Sequence, residues 1–265
     1  MAGLASGLDP LAAPSPFTAG EDLPLRSLAT LQAPVLVVAP HPDDETLGCG
    51  GAIAQLRSLG CPVQVLVISD GANSHPRSRQ YPPPRLRQLR QAETLAALTL
   101  LGVAAADVTF LGLPDGSVPH LFQPPVPHAV PQAAAAQAAL AQCQRYLRRA
   151  APQTIFLPYQ FDPHRDHRAT WTLVQAATRS LDLPPRLIEY PIWDWDPRQR
   201  QPLGDRYRAW RIDIAPQVAL KHRAIHCYRS QTTDLISDDP TGFRLTPELI
   251  APFLNPWEVY LEQAP

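Results

Sequence analysis

An excess of either charge is absent from this sequence: 23 Lys+Arg stand against 24 Asp+Glu over 265 residues, a formal net charge of -1. Phosphate-rich partners call for a basic excess or a basic face, so no nucleic-acid partner is expected. Also absent is any run near the ~20 uninterrupted apolar residues that a membrane-crossing helix needs. The longest candidate, 94–106, is shorter and carries two threonines and a glycine, so no transmembrane segment is expected. Cysteine is sparse: Cys49, Cys61, Cys143 and Cys227 lie far apart with no C-x-x-C pair. That excludes a zinc finger or a dense disulfide framework, and such cysteines usually act as small buried hydrophobes. The start of the chain lacks a basic segment ahead of an apolar core, so a secretory signal is not expected and the cytoplasm is the expected location. Lysine is nearly missing. Lys221 stands alone beside 22 arginines and 32 prolines, a bias that suggests a GC-rich genome more than a mechanism. Internal repeats are absent.

What is present is core-forming material: 45% hydrophobic against 18% charged residues. The length allows one to two domains, and the reading is a single domain over 33–265. It follows a leader, 1–32, rich in Ala, Pro, Ser and Gly and expected to be mobile. Val35 to Ala39 is an apolar, β-branched run of strand length. Thr46 to Leu59 reads as a helix whose Gly48, Gly50 and Gly51 would let it approach a sheet closely. Val63 to Ile68 is a second buried strand, and the Pro-rich stretch 70–84 is loop. Arg85 to Leu101 is a helix stopped by Gly102. A strand at Val108 to Leu111, a helix at Gln132 to Ala150, a strand at Ile155 to Leu157 and a helix at Asp166 to Leu181 follow. Strands alternating with helices of this length predict an α/β fold with a mostly parallel sheet. Beyond Leu187 to Ile192 the pattern loosens. A strand near Trp210 to Ile214 and a helix at Pro216 to Tyr228 are expected, and the tail from Asp238 is unassigned.

Two polar clusters carry the chemistry. His41-Pro42-Asp43-Asp44-Glu45 directly follows the first strand, and Asp162-Pro163-His164-Arg165-Asp166-His167 follows the strand at 155–157. Ligands of open parallel sheets bind outside the carboxyl ends of the strands, so both clusters should converge on one edge. Two histidines and an aspartate are a donor set that Zn²⁺ accepts with one position left for water. His41 and Asp44, three apart on a tight turn, can face one ion, and His167 completes the set. Asp43 then remains as a general base. His164 could act as an imidazolium that stabilises an oxyanion or protonates a leaving amine. Asp166 could hold an imidazole in the needed tautomer. The reaction this suits is metal-assisted hydrolysis of an amide. The bland alternative is that Asp43 or Asp44 simply N-caps the helix from Thr46.

His41 through Gly51, in the order H-P-D-D-E-T-L-G-C-G-G, and His164-Arg165-Asp166-His167 resemble the two signature motifs of the PIG-L/LmbE-like N-acetylglucosaminyl deacetylases. Ser69-Asp70-Gly71, Arg90 to Glu93, Leu113 to Gly116 and Lys221 through Tyr228 to Gln231 fall in family order. The resemblance implies a Rossmann-like fold with helices on both faces of the sheet and Zn²⁺ on His41, Asp44 and His167. It also implies Asp43 as base, His164 as electrophilic or acid group and Asp166 as its partner. The expected substrate is a small molecule bearing N-acetylglucosamine, in a glycolipid, a thiol-cofactor precursor or an antibiotic. Arg90 matches a substrate-binding arginine, and its alternative is a helix-surface ion pair with Glu93 or Asp107. Where some relatives carry a tyrosine proposed as a mobile acid this chain has Asp162, which leaves any acid role to His164. Arg165 replaces a frequent proline. A His₂Asp set suits Fe²⁺ as well as Zn²⁺, and the oligomeric state is left open.

Two other readings compete. One is a metal hydrolase of a different amide, such as a thiol conjugate or acylated antibiotic. The other is a non-catalytic sugar- or nucleotide-binding module, although Gly48-x-Gly50-Gly51 lacks the G-x-G-x-x-G spacing. Among the remaining residues, His75 is expected in a solvated loop, and His120 and His128 in a Pro-rich loop that could rim the pocket. His222 and His226 are expected to pack or wall the pocket. Trp193, Trp195 and Trp210 are candidates for sugar stacking or for the core.

Overall fold

The computed structural model describes residues 20–118, 130–195, 203 and 206–264. Val35–Ala39 (β1) is buried at every position, as a central parallel strand covered on both faces must be. Val63–Ser69 (β2), Val108–Leu113 (β3), Thr154–Pro158 (β4) and Arg186–Tyr190 (β5) join it as a parallel array. Tyr207–Asp213 (β6) and Trp257–Gln263 (β7) complete one seven-stranded sheet of order β3-β2-β1-β4-β5-β7-β6. β7 runs antiparallel to both of its neighbours.

Alternate residues of β1 serve two cores. Val35, Val37 and Ala39 face helices Asp44–Ser58 (α1) and Pro83–Leu100 (α2), while Leu36 and Val38 face Val130–Ala150 (α3) and Arg165–Thr178 (α4). Val218–Ile225 (α5) packs beside α1 and α2. Two short helices follow, Arg229–Thr232 (α6) and Pro247–Ile250 (α7). The result is the expected α/β architecture: a mostly parallel sheet with helices on both faces. No helix among the described residues is long and apolar enough to cross a membrane.

The glycines of α1 act as expected. A Cβ added to Gly48 would lie 2.3 Å from the Tyr190 ring and one on Gly51 2.5 Å from Ile214, so the helix rests directly on the sheet. Gly48→Ala is therefore expected to cost about 1–3 kcal/mol through overpacking, read as a lowered urea midpoint at unchanged slope.

One sequence expectation is corrected here and one unassigned segment is filled in. Residues 20–32 of the leader are not loose. Arg26 N–H donates to the Arg211 carbonyl at 2.8 Å, Arg211 N–H donates to Pro24 at 3.0 Å, and Leu28 is buried in the core. This segment covers the otherwise open edge of β6, a common protection for edge strands. Residues 1–19 lie outside the described residues. The unassigned tail supplies β7. Its Glu258 is buried because four groups satisfy it: Gly51 N–H (2.7 Å), Ala52 N–H (2.8 Å), Lys221 Nζ (2.8 Å) and the Tyr260 hydroxyl (2.7 Å). The only lysine of the chain is thus spent on a buried ion pair.

A second buried carboxylate carries a pH dependence. Glu189 accepts from Gln160 N–H (2.8 Å), Trp171 Nε1 (3.0 Å) and the Tyr207 hydroxyl (3.2 Å). Burial nevertheless pushes its carboxyl up to about 7. An unfolded glutamate releases its proton near pH ~4.3, so between those values the folded state binds more protons and stability falls as pH rises. The loss across the window is at most roughly 4 kcal/mol. Glu189→Gln is expected to flatten that slope whatever constant offset it adds, as measured by urea unfolding from pH 4.5 to 8 on both proteins.

Candidate metal centre and active site

β1 and β4 are adjacent and parallel, but the chain leaves β1 toward α1 on one face and β4 toward α4 on the other. That reversal opens a crevice at the carboxyl ends of the strands. The 41–44 turn and the 162–167 segment enter it from opposite faces of the sheet, so the two expected clusters do meet.

Three donor atoms form a nearly equilateral triangle. His41 Nδ1 and Asp44 Oδ2 are 3.2 Å apart, Asp44 Oδ2 and His167 Nε2 3.2 Å, and His167 Nε2 and His41 Nδ1 3.3 Å. Tetrahedral ligands at about 2.0–2.1 Å from Zn²⁺ stand about 3.3 Å from one another, so these donors fit that ion. Burial opposes the charge of Asp44, yet His167 and His41 hold its carboxyl far below the usual range. Burial likewise opposes protonation of His167, but Asp44 and Asp162 raise it to about 9.

Each imidazole has an outer carboxylate. Asp162 Oδ2 faces His167 Nδ1 at 3.3 Å. Asp166 Oδ2 faces His41 Nε2 at 3.1 Å and accepts from Gly116 N–H at 2.8 Å, while Asp115 Oδ1 stands 3.4 Å from the same nitrogen. Such partners fix tautomer and ring orientation in metal sites.

This changes the expected role of Asp166. Its carboxylate orients His41 rather than His164, and it is the Asp166 backbone N–H that meets His164 Nδ1, at 3.3 Å. His164 is the N-cap of α4. Accepting at Nδ1, its neutral ring carries the proton on Nε2. Burial, with His167 and His41 beside it, lowers its pKa to about 4. The group is therefore a neutral imidazole donor, not the imidazolium expected from sequence.

Asp43 sits beside the triangle with φ +136°, a backbone region that costs about 1–3 kcal/mol and persists only where the surroundings enforce it. They do so here from three sides. Its carbonyl accepts from Thr46 N–H (3.0 Å) and Leu47 N–H (2.9 Å), its own N–H donates to Glu45 Oε2 (3.2 Å), and its Oδ2 accepts from Arg90 Nη2 (2.9 Å). Glu45 is held in turn by the Tyr228 hydroxyl and by Thr46 Oγ1. Asp43 occupies the N-cap position of α1 but its side chain makes no capping bond, and Asp44 is already helical, so the simple capping alternative fails. Burial raises the Asp43 carboxyl to about 8 against the opposing pull of Arg90.

Arg90 is buried and also bonds the Pro42 carbonyl. It is no surface partner of Glu93 or Asp107. Glu93 instead accepts from Ser230 N–H and Oγ, both at 2.7 Å. Two buried polar atoms on residues lining the pocket have no hydrogen-bond partner: Arg90 Nε and Gln231 Oε1.

The pocket holds about 230 Å³; Asp115, Trp193, Phe243 and Leu245 share its walls with the polar residues above. Sequence reasoning named Asp115, Asp162 and Gln231 within its clusters and family-order segments but gave them no role in the site. For the first two a signal existed: each follows a strand of the parallel array at the same edge as His41. His75 is buried rather than solvated, its ring pressed against Gly242. His222 and His226 are exposed and wall nothing. Trp210 is core, and His120 and His128 lie outside the described residues.

A family model described as PIG-L, GlcNAc-PI de-N-acetylase, matches residues 36–178. Two similar proteins share one name, 1D-myo-inositol 2-acetamido-2-deoxy-alpha-D-glucopyranoside deacetylase. That of Kineococcus radiotolerans is 35% identical over 98 residues, 35% of this chain and 27% of that protein. That of Mycobacterium sp. strain KMS is 30% identical over 207 residues, 71% of this chain and 61% of that one. The chain thus spans less than two thirds of the length of either. N,N'-diacetylchitobiose deacetylase from Pyrococcus horikoshii superposes with a TM-score of 0.58 at 23% identity, covering 76% of this chain and 72% of that one, a likeness of fold. With just over half of its length matched to the family model, and with a fold shared with that solved deacetylase, the chain belongs to the PIG-L family.

Proposed function

We propose that the protein is a metal-dependent N-deacetylase that hydrolyses the acetamide of an N-acetylglucosamine-type conjugate. The observation that carries this reading is the donor triangle of His41, Asp44 and His167 with an unligated carboxylate, Asp43, immediately beside it. Zn²⁺, or Fe²⁺ in its place, would supply Lewis acidity at the carbonyl oxygen and acidify a neighbouring water.

The chain's own residues do the rest. Asp43, as the carboxylate, takes a proton from the attacking water, and its burial strengthens its affinity for that proton once taken. Arg90 keeps that carboxylate aimed at the pocket. His164 donates Nε2–H to the oxygen on which negative charge develops, as a neutral preorganised donor. When the C–N bond breaks, the proton on Asp43 passes to the leaving nitrogen, so that one amide and one water become one amine and one acetate. Asp166 and Asp162 are positioning residues for His41 and His167. Arg90 Nε and Gln231 Oε1 offer one donor and one acceptor to sugar hydroxyls.

Acetate release by the zinc-loaded protein, from free GlcNAc, chitooligosaccharides and inositol-, malate- and lipid-linked GlcNAc, tests the proposal. Turnover of at least one of these is expected, and silence across the panel overturns the reading.

A further inference from the structure

The reaction pocket does not end at the polar residues. Leu47, Trp193 and Leu245 line it and also line an adjoining second cavity of about 170 Å³. Leu47 lies three residues along α1 from Asp44, about 4.5 Å of helix rise from the donor triangle. The second cavity runs between the turn Trp193–Trp195 and the segment from Pro247 to Leu254. Its floor includes Ile192 and Phe253, and Leu249 at its rim is 38% exposed. Glu248 is the charged side chain among its described lining residues. We infer that this annex receives an uncharged alkyl or aryl group attached to the sugar, so that the substrate is an apolar glycoside.

Three observations converge. First, the two cavities lie side by side on three shared wall residues, which puts the annex within reach of a group joined to a sugar whose acetamide lies at the donor triangle. Trp193 belongs to both, and its indole stacks on His164 with ring centroids 6.4 Å apart and planes 27° apart. Second, the walls are fixed in place. Asp162 Oδ2 accepts from Ile192 N–H (3.2 Å) and Trp193 N–H (3.1 Å), and Leu245 N–H donates to the Gln231 carbonyl (2.8 Å); Phe243, a wall of the reaction pocket and not of the annex, donates its N–H to the Ser74 carbonyl (2.7 Å). Asp238 accepts from Ser78 Oγ and from Arg79 and Gln80 N–H, tying the loop before α2 to the segment that carries Phe243. A preformed apolar cavity loses little on binding. Third, the chemistry selects against other occupants. A phosphate, carboxylate or polyol extension would meet an apolar wall and the Glu248 carboxylate. An anionic extension would instead suit the open vestibule beside Arg165, which adjoins the site on another side.

The inference takes from the deacetylase reading only the position of the sugar, and its test separates the two. Initial rates are measured on methyl, butyl and hexyl glycosides of GlcNAc, with a carboxyalkyl glycoside as the anionic control. KM is expected to fall roughly three- to fourfold for each methylene that enters the annex, with kcat nearly unchanged because the contact is the same in ground and transition states. Leu249→Asp, at an exposed rim position, is expected to flatten the series while methyl glycoside kinetics stay within about twofold. In parallel, calorimetry follows alkyl glucosides that lack the acetamide. Binding that tightens with chain length and is lost in Leu249→Asp upholds the annex even if no acetate is released. Equal KM for methyl and hexyl glycosides, or preference for the carboxyalkyl control, overturns it while leaving deacetylation intact.

Discussion

Asp43→Asn is expected to lower kcat by about 10²–10⁴-fold while the bound metal stays in place. That is the range a positioned general base contributes. The substitution is chosen because it keeps the shape of the side chain and its bond to Arg90 Nη2. It removes only the capacity to take a proton. Metal should remain because His41, Asp44 and His167 close their triangle without Asp43. KM should change little, since the contacts proposed for the sugar lie on Arg90 Nε and Gln231 Oε1. Steady-state kinetics with metal analysis on the same sample checks all three parts. A variant that loses metal as well as activity would mean that Asp43 is a ligand.

The second large effect falls on the ion. His167→Ala is expected to strip the metal and bring activity to background, because two donors cannot hold an ion that three donors hold. It should also destabilise the apoprotein. His167 is buried between Asp44 Oδ2 at 3.2 Å and Asp162 Oδ2 at 3.3 Å. Truncation leaves two carboxylates facing a cavity without their cation, a change that typically costs about 3–5 kcal/mol. Metal content by mass spectrometry and urea unfolding in chelator measure the two consequences separately. Asp43→Asn should show neither, and the contrast between the variants distinguishes base from ligand.

Much of this arrangement is legible in the sequence, and the exceptions have physical causes. β1, β2 and β4 announce themselves because a strand buried on both faces is a run of apolar residues. α2 reads as a helix because of its length and its glycine stop, but its buried face is Leu86, Arg90, Glu93, Thr94, Ala97 and Leu98 rather than an apolar stripe through Leu89 and Ala96, of which Ala96 is exposed. The tail did not read as a strand because Glu258 interrupts it, and that carboxylate is satisfied by Tyr260 on the same strand together with Lys221, Gly51 and Ala52, which are distant in sequence. Pairing of Pro24 and Arg26 with Arg211 is non-local in the same way.

Within the site, the meeting of His41, Asp43, Asp44, His164 and His167 follows from two motifs at the ends of adjacent parallel strands. The direction of the Asp166 side chain does not. In the first turn of a helix it could turn to either histidine, and the Gly116 N–H at 2.8 Å draws it to His41. Local sequence likewise suggested an imidazolium at His164, whose charge depends on burial and on two other imidazoles brought there by the fold. The Arg90 alternatives, Glu93 and Asp107, were both drawn from nearby in the sequence, whereas its partner Asp43 lies 47 residues away. Gln231, Phe243 and Leu245 reach the pocket from beyond the matched family region; Gln231 closes a segment in family order, while no motif marks Phe243 or Leu245.

The most direct test of the central claim is to quantify acetate and free amine together, from the best substrate of the panel, with wild-type protein and Asp43→Asn side by side. Equimolar acetate and amine from the wild type, and neither at a comparable rate from the metal-loaded variant, is the expected result. Turnover that survives in Asp43→Asn, or amine appearing without acetate, would contradict the mechanism built on this site.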